Sequence, residues 1–315
     1  MKNSIIYICI VIVAFVCTPV ILFDIFLNRD IDDISKYKTS DDRCIAVLNK
    51  DGDTLYKLSV EEFLPLTVAK QIAVYEDEEY IKLYTVLMRT YILSCMGDDE
   101  KIDTASLALP YVTYDEMEEA WGGSFYDNLE KYENAVQGTS KICIVSDGKI
   151  VLPYFHEVSA GKTRNGSENE ALKDLNYLKS VDSNDSESTE FINQYIFSSK
   201  EFYQKLKEYR DSIIISDENP LEVVSIVERD SAGYVKTIQV GSTLLSGDEF
   251  MACFGLKSPE FVIEEDGRDI IIRTTGVGNG YGLSLYGAKE MIKQGKTYNE
   301  VLNYYYNMIE LENIK

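Results

Sequence analysis

Residues 44–73 read CIAVLNKDGDTLYKLSVEEFLPLTVAKQIA and hold two apolar periods side by side. Residues 44–48 and 54–58 are short apolar runs around Asp51-Gly52, a dipeptide suited to the tight turn of a hairpin. From Val60 the apolar side chains fall at Phe63, Leu64, Val68 and Ile72, the spacing of one helix face over residues 60–73. A second helix is expected over 78–95, opened by the carboxylates of Asp77, Glu78 and Glu79, which suit the positive end of a helix. Its apolar face is Ile81, Val86, Leu87 and Ile92.

The same alternation continues downstream. A helical region over 114–137 is broken at Trp121-Gly122-Gly123. Residues 141–145 and 150–155 flank Asp147-Gly148 as a second hairpin. Residues 183–188 form a polar loop, and a helix is expected over 199–210. Strands at 223–228 and 234–240 surround Asp230-Ser231-Ala232-Gly233, and those at 261–264 and 270–273 surround Asp266-Gly267. A Gly-rich loop at 276–282 leads into helices over 284–294 and from Tyr298. Hairpins and separated helices together predict an α+β fold, not a doubly wound parallel sheet.

Composition narrows the function. The chain carries 31 Lys and Arg against 53 Asp and Glu, a net charge of −22. Phosphate backbones are held by clustered cations, so nucleic acid is excluded as a partner. The sole histidine, His156, removes sites that need two imidazoles. Residues 5–23, IIYICIVIVAFVCTPVILF, are uncharged and nearly long enough at about 1.5 Å per residue to cross a bilayer core of roughly 30 Å. No small-x-small cleavage site follows them, so they predict an uncleaved, single-pass membrane anchor within residues 1–27. Flanking charges do not settle its orientation. Residues 28–42 are a polar stalk, and residues 43–315 form one domain. Cys44, Cys95, Cys143 and Cys253 lie beside apolar residues without metal-site spacing and read as buried thiols.

Two local motifs invite chemical readings. The loop Gly276-Val277-Gly278-Asn279-Gly280-Tyr281-Gly282 before a helix resembles a phosphate cradle, but lacks the Lys-Ser/Thr of a P-loop. Close approach of its backbone to a ligand or to another chain segment is the expected explanation. Ser159 beside His156 suggests a nucleophile and base, yet no acid is placed by spacing.

Ordered motifs across residues 43–308 resemble the stage II sporulation protein D family, the SpoIID/LytB domain. They are Glu62-Phe63-Leu64 with Gln71-Ile72, Arg89-Thr90-Tyr91, Trp121-Gly122, Ala135-Val136 with Thr139, and the run from Phe155 to Thr163. Tyr177 to Ser183, Ser246-Gly247 with Phe250, and Gly255 to Ser258 follow. Gly278, Gly280, Gly282, Ser284 and Tyr286-Gly287-Ala288 close the set. The resemblance implies a membrane-anchored extracytoplasmic protein that cleaves peptidoglycan glycan strands as a lytic transglycosylase during engulfment. It also implies a cell-wall amidase and other engulfment membrane proteins as partners.

In that family a Glu protonates the glycosidic oxygen, and this chain has Gln71 there. An amide donates hydrogen bonds but cannot release and regain a proton near pH 7. Asn279 and Leu285 also depart from the family pattern. Asp103-Thr104-Ala105-Ser106-Leu107 stands where the family binds metal, so no metal and no cofactor is expected. The resemblance implies that Arg89, His156, Ser159, Lys162, Asn279, Ser284 and Tyr286 bind substrate. Gln71, Ser159, Asn279 and Ser284 are expected on one concave surface with tyrosines around it. The reading is a glycan-binding protein at the cell membrane, catalytically impaired. An active transglycosylase using Glu76 or Glu79, and an amidase enhancer, stay open as alternatives.

Overall fold

The computed structural model describes residues 43–48, 52–216, 219–267 and 269–314. The apolar run at 5–23, the stalk and Asp51 lie outside them. No described helix is long and apolar enough to cross a membrane.

The chain opens with β1 (Cys44–Leu48), β2 (Thr54–Ser59), α1 (Val60–Gln71) and α2 (Glu78–Met96). Next come β3 (Lys101–Asp103), α3 (Thr104–Leu107), α4 (Tyr114–Trp121) and α5 (Phe125–Gly138). Strands β4 (Ile142–Ser146), β5 (Lys149–Ile150) and β6 (Phe155–His156) lead through a long loop to β7 (Ile192–Ser198) and α6 (Ser199–Tyr209). Then follow β8 (Val224–Arg229), β9 (Val235–Val240), β10 (Thr243–Ser246) and α7 (Gly247–Phe254). The remainder is β11 (Phe261–Asp266), β12 (Asp269–Thr275), β13 (Leu283–Ser284), α8 (Leu285–Lys293), α9 (Tyr298–Tyr305) and β14 (Glu310–Asn313).

The α+β expectation holds, in small sheets. β1 and β2 pair antiparallel, and β3 joins β1 in parallel. β9 lies between β8 and β10, and β12 between β11 and β7, all antiparallel. The second hairpin is shorter than expected: β5 stops at Ile150, and Phe155 and His156 leave it to pair in parallel with β13. Pro153 lies in the gap, where a missing N–H favours leaving a ladder.

Two apolar cores result. The larger surrounds α2, whose residues from Leu83 to Thr90 are buried without interruption, so its packing replaces the one-faced stripe that periodicity predicts. The polar side chains of Thr85, Thr90 and Arg89 within it are satisfied. Thr85 and Thr90 donate to the carbonyls of Ile81 and Val86 at 2.8 and 2.7 Å. Arg89 grips both Glu61 oxygens at 2.6 and 2.8 Å and donates to the Val136 and Ile142 carbonyls. The smaller core is built by α6 and α7 against β7, β9 and β12, around Phe202, Phe250, Phe254 and Phe261. Their ring centroids lie 4.5 to 6.3 Å apart.

Candidate functional site

Helix α1 begins in a capping box: Ser59 Oγ accepts from the Glu62 N–H, and a Glu62 oxygen accepts from the Ser59 N–H at 2.7 Å. It ends at Gln71, where Tyr132 donates to the Ile72 carbonyl at 2.7 Å. The Gln71 side chain is exposed and its amide stands against the Tyr84 hydroxyl. Burial pushes that hydroxyl upward, reinforced by Tyr80 and the charge of Glu157, while Gln71 pulls the other way. The contact falls short of hydrogen-bond geometry, which leaves the Tyr84 hydroxyl buried without a partner.

Beside this point lies a groove of about 500 Å³ lined by Tyr80, Glu157, Glu187, Glu190, Tyr286 and Lys289 among others. Tyr80 is buried with the Lys289 ammonium 6.0 Å from its ring centroid, and it donates to the Leu285 carbonyl at 3.3 Å. Glu157 follows β6 on a fixed backbone: its carbonyl accepts from the Tyr286 N–H at 3.0 Å. Val158 and Val277 exchange backbone bonds at 3.1 and 2.7 Å. The floor is therefore set before any ligand arrives.

Behind the groove a polar knot is closed to solvent. Asp185 accepts from the Ser159 N–H at 2.7 Å and from the hydroxyls of Ser183 and Ser284. Ser183 also meets the Tyr305 hydroxyl at 2.8 Å, and Ser284 Oγ caps α8 by accepting the Gly287 N–H at 3.2 Å. His156 is buried with Nδ1 3.1 Å from the Tyr281 carbonyl and Nε2 unpartnered. Burial pushes its imidazole down to about 4, against the opposing pull of the Tyr281 carbonyl and the Asp185 charge.

That neutral imidazole has a measurable consequence. Below the ordinary value of 6.5 the unfolded chain binds a proton that the folded chain refuses. Stability therefore falls as pH drops from about 6.5 toward 4, by about 2 kcal/mol between pH 7 and pH 5. Glu133, raised by burial, acts in the opposite sense near its own value. No other imidazole exists in the chain, so urea midpoints of wild type and His156→Asn at the two pH values isolate the effect. An equal pH slope in both proteins would remove His156 as its source.

The Gly-rich loop serves chain packing, the second of the two readings its sequence left open. Four of its N–H groups are taken: Gly276 by the Phe191 carbonyl, Val277 by that of Val158, Gly278 by that of Lys257, and Tyr281 by Asn279 Oδ1. A Cβ on Gly278 would stand 2.6 Å from the His156 Cβ, and one on Gly282 1.9 Å from the Tyr154 carbonyl oxygen. Both residues have positive φ, 104° and 70°, so glycine is required twice over.

The expected concave cluster does not form as read from the motifs. Ser159 and Ser284 do come together, but on Asp185 and fully buried. Arg89 and His156 are likewise inside, so none of the four offers surface to a strand. Asn279 is half-buried, its Oδ1 accepting from the Tyr281 N–H at 2.9 Å and its carbonyl from Arg164 at 3.2 Å. Lys162 is half-buried in a backbone bridge to Asp182. Tyr286 alone of the expected binding residues lines the groove.

The two candidate replacement acids are engaged. Glu76 pairs with Lys289 at 2.6 Å. Glu79 accepts from the Tyr298 N–H at 2.9 Å and pairs with Lys82 at 3.1 Å. Asp103 caps α3 by accepting the Ser106 N–H at 2.7 Å, which pulls its carboxyl downward. Among the described residues no three His, Cys, Asp or Glu gather to hold a metal ion. Of the cysteines, Cys143 is buried and pushed by desolvation up to about 12, whereas Cys95 is exposed, contrary to expectation.

Sequence reading passed over Tyr80, Glu187, Glu190 and Lys289. Only Tyr286 and Lys289 left a signal, three residues apart on one helix face.

Taken together, the fold is an α+β protein with two cores and an open groove walled by carboxylates and tyrosines. No protein-family model matches the chain. It is 27% identical to stage II sporulation protein D of Bacillus amyloliquefaciens, over 85% of this chain and 78% of that protein. The same-named protein of Bacillus subtilis (strain 168) is 27% identical over 83% of this chain and 77% of the relative. An uncharacterized protein of Brachyspira hyodysenteriae is 23% identical over 81% of the chain and 67% of that protein. Similarity to two stage II sporulation D proteins over more than four fifths of the chain supports membership of that family.

Proposed function

We propose that this chain is a sporulation protein of the cell envelope that binds peptidoglycan glycan strands in the groove beside Gln71 without cleaving them. Kinship with two stage II sporulation D proteins supports the sporulation role. The observation that carries the rest is the neutral amide of Gln71, standing against Tyr84 where the resemblance calls for an acid. Glycosidic cleavage needs a group that gives up a proton, and a carboxamide has none to give. Glu76 and Glu79 are held in ion pairs away from that task. The half-buried Tyr286 ring and the hydrogen-bonded floor are suited to a sugar chain. Because such strands lie outside the membrane, residues 43–315 are assigned to the extracytoplasmic side, anchored through residues 5–23. An amidase and other engulfment membrane proteins are the partners this role implies.

The test is mass spectrometry of peptide-stripped glycan strands incubated with wild type, Gln71→Glu and Gln71→Ala. No anhydromuramic products are expected from wild type or Gln71→Ala. A general acid contributes about 10²–10⁴ in rate, but Gln71→Glu recovers little of it, because Asn279 and Leu285 also depart from the family pattern. Anhydromuramic products from wild type would overturn the silent reading. Their loss in Glu157→Gln would then assign the proton donor to the groove carboxylate.

A further inference from the structure

We infer that two copies of this chain pair through β7, continuing the β11-β12-β7 sheet across a two-fold axis at Gln194. β7 is the last strand of that sheet, bonded to β12 on one side. Among the described residues, none of its backbone groups from 192 to 197 bonds to anything on the other side. Tyr195 and Phe197 pack on the smaller core yet stay half-buried. A free edge is a row of unpaired N–H and C=O groups that accepts another strand, so proteins guard such edges with charge, proline, bulges or shortness. The other edges here are guarded. β11 ends in Glu264, Glu265 and Asp266, β14 carries Glu310 and Glu312, and β2 and β8 are interrupted by register shifts. β3, β5, β6, β10 and β13 have two to four residues. β7 has seven, INQYIFS, with no charge, no proline and no register shift.

The outward side chains select the occupant. Ile192 and Ile196 are 57% and 58% exposed, and exposed Gln194 stands midway between them. That face, Ile-Gln-Ile, reads the same in both directions. An antiparallel copy centred on Gln194 therefore sets each Ile192 against Ile196 of the other copy, and Gln194 against its own image. Directly opposite side chains of this kind are the unit of sheet stability. Arg273 donates to Gln194 Oε1 at 3.1 Å, which leaves the amide NH2 to donate across the axis. The strand matches its own sequence, which favours a second copy over a strand of another protein. One pairing uses the free edge of both chains, so the assembly closes as a dimer. A seven-residue strand spans only about 23 Å, and pairing over that length falls short of the roughly 800 Å² per partner typical of a stable complex. The dimer is therefore weak. Each chain also carries a net charge of −22, so salt strengthens the pairing by screening repulsion. Glu190, which lines the groove, lies roughly 13 Å along the chain from Gln194, so the two grooves flank one interface. The pairing does not depend on what the groove binds.

The experiment is sedimentation velocity of the full-length protein in detergent across a range of concentrations. Wild type is expected to pass from monomer to dimer with a dissociation constant on the order of 10 μM in about 0.5 M salt, and several-fold weaker in about 0.05 M. Ile196→Lys and Ile192→Lys, on the two sides of the same pair, should each raise that constant at least about tenfold. Each added Lys lowers the net negative charge, so the weakening does not come from long-range repulsion. Val262→Lys, on the opposite edge strand of the sheet, should leave the constant unchanged. All three side chains are exposed, so the fold is kept. Hydrogen exchange reads the backbone: amides within 192–198 should gain protection as concentration rises. A monomer at every concentration would overturn the second copy as occupant and leave the edge to a strand of another protein. A dimer that persists in both β7 variants, or exchange at 192–198 that ignores concentration, would place the contact elsewhere, residues 5–23 included, and overturn the assignment to β7.

Discussion

Asp185→Ala is expected to lower the free energy of unfolding by about 3–6 kcal/mol, read as a shift in urea midpoint at unchanged slope. Three donors lose their acceptor at once: the Ser159 N–H and the hydroxyls of Ser183 and Ser284. Each buried donor left unsatisfied costs about 1–3 kcal/mol, and the site is too enclosed for solvent to substitute freely. The loss is large beside a typical total of about 5–15 kcal/mol. Asp185→Asn retains one acceptor oxygen and should cost about half as much. Binding should suffer too, because this carboxylate ties the loop bearing Glu187 and Glu190 to β6 and to the cap of α8. A midpoint within about 1 kcal/mol of wild type would show that the knot is not the tie between those elements.

Arg164→Met should cost about 3–5 kcal/mol, the usual penalty for stranding one partner of a buried ion pair. Arg164 Nε donates to Asp230 at 2.7 Å, and both side chains are almost fully enclosed. Its guanidinium lies 4.4 Å from the Tyr281 ring centroid and 5.3 Å from that of Tyr234. Tyr281 belongs to the larger core, while Asp230, Tyr234 and Asp248 adjoin elements of the smaller one, so a single cation bridges the two. Arg164→Lys keeps the charge but loses the planar stacking and should recover only part of the stability. A double-mutant cycle with Asp230→Asn isolates the pair: the double variant should be less destabilised than the sum of the singles. Strict additivity would locate the cost in lost packing instead.

The helices were largely legible because their caps and their burial agree. Ser59 with Glu62, Thr113 with Glu116, Ser198 with Glu201 and Thr297 with Glu300 each form a capping box where an apolar period begins. The short pieces were not legible. β6 and β13 have two residues each, too few for alternation to appear, and exist only because Gly282 lets the chain pass against Tyr154. The helix α7 escaped notice although Ser246 and Glu249 cap it, since its eight residues carry little more than two turns of pattern.

For the site, the sequence by itself determined chemical identity: an amide at position 71, a lone histidine, glycines where the loop must double back, and motif order across the chain. Those facts travel along the backbone and need no packing to be true. Tertiary structure alone decided which side chains line the groove. Arg89, His156, Ser159 and Ser284 sit in motifs that look like binding motifs, yet each is withdrawn to satisfy buried partners. The groove is instead assembled from positions 80, 157, 187, 190, 286 and 289, drawn from two helices, a strand end and a loop. The physical reason is that burial depends on what packs against a residue from elsewhere in the chain. Lys289 meets Glu76 across 213 positions, a distance over which sequence pattern holds no register.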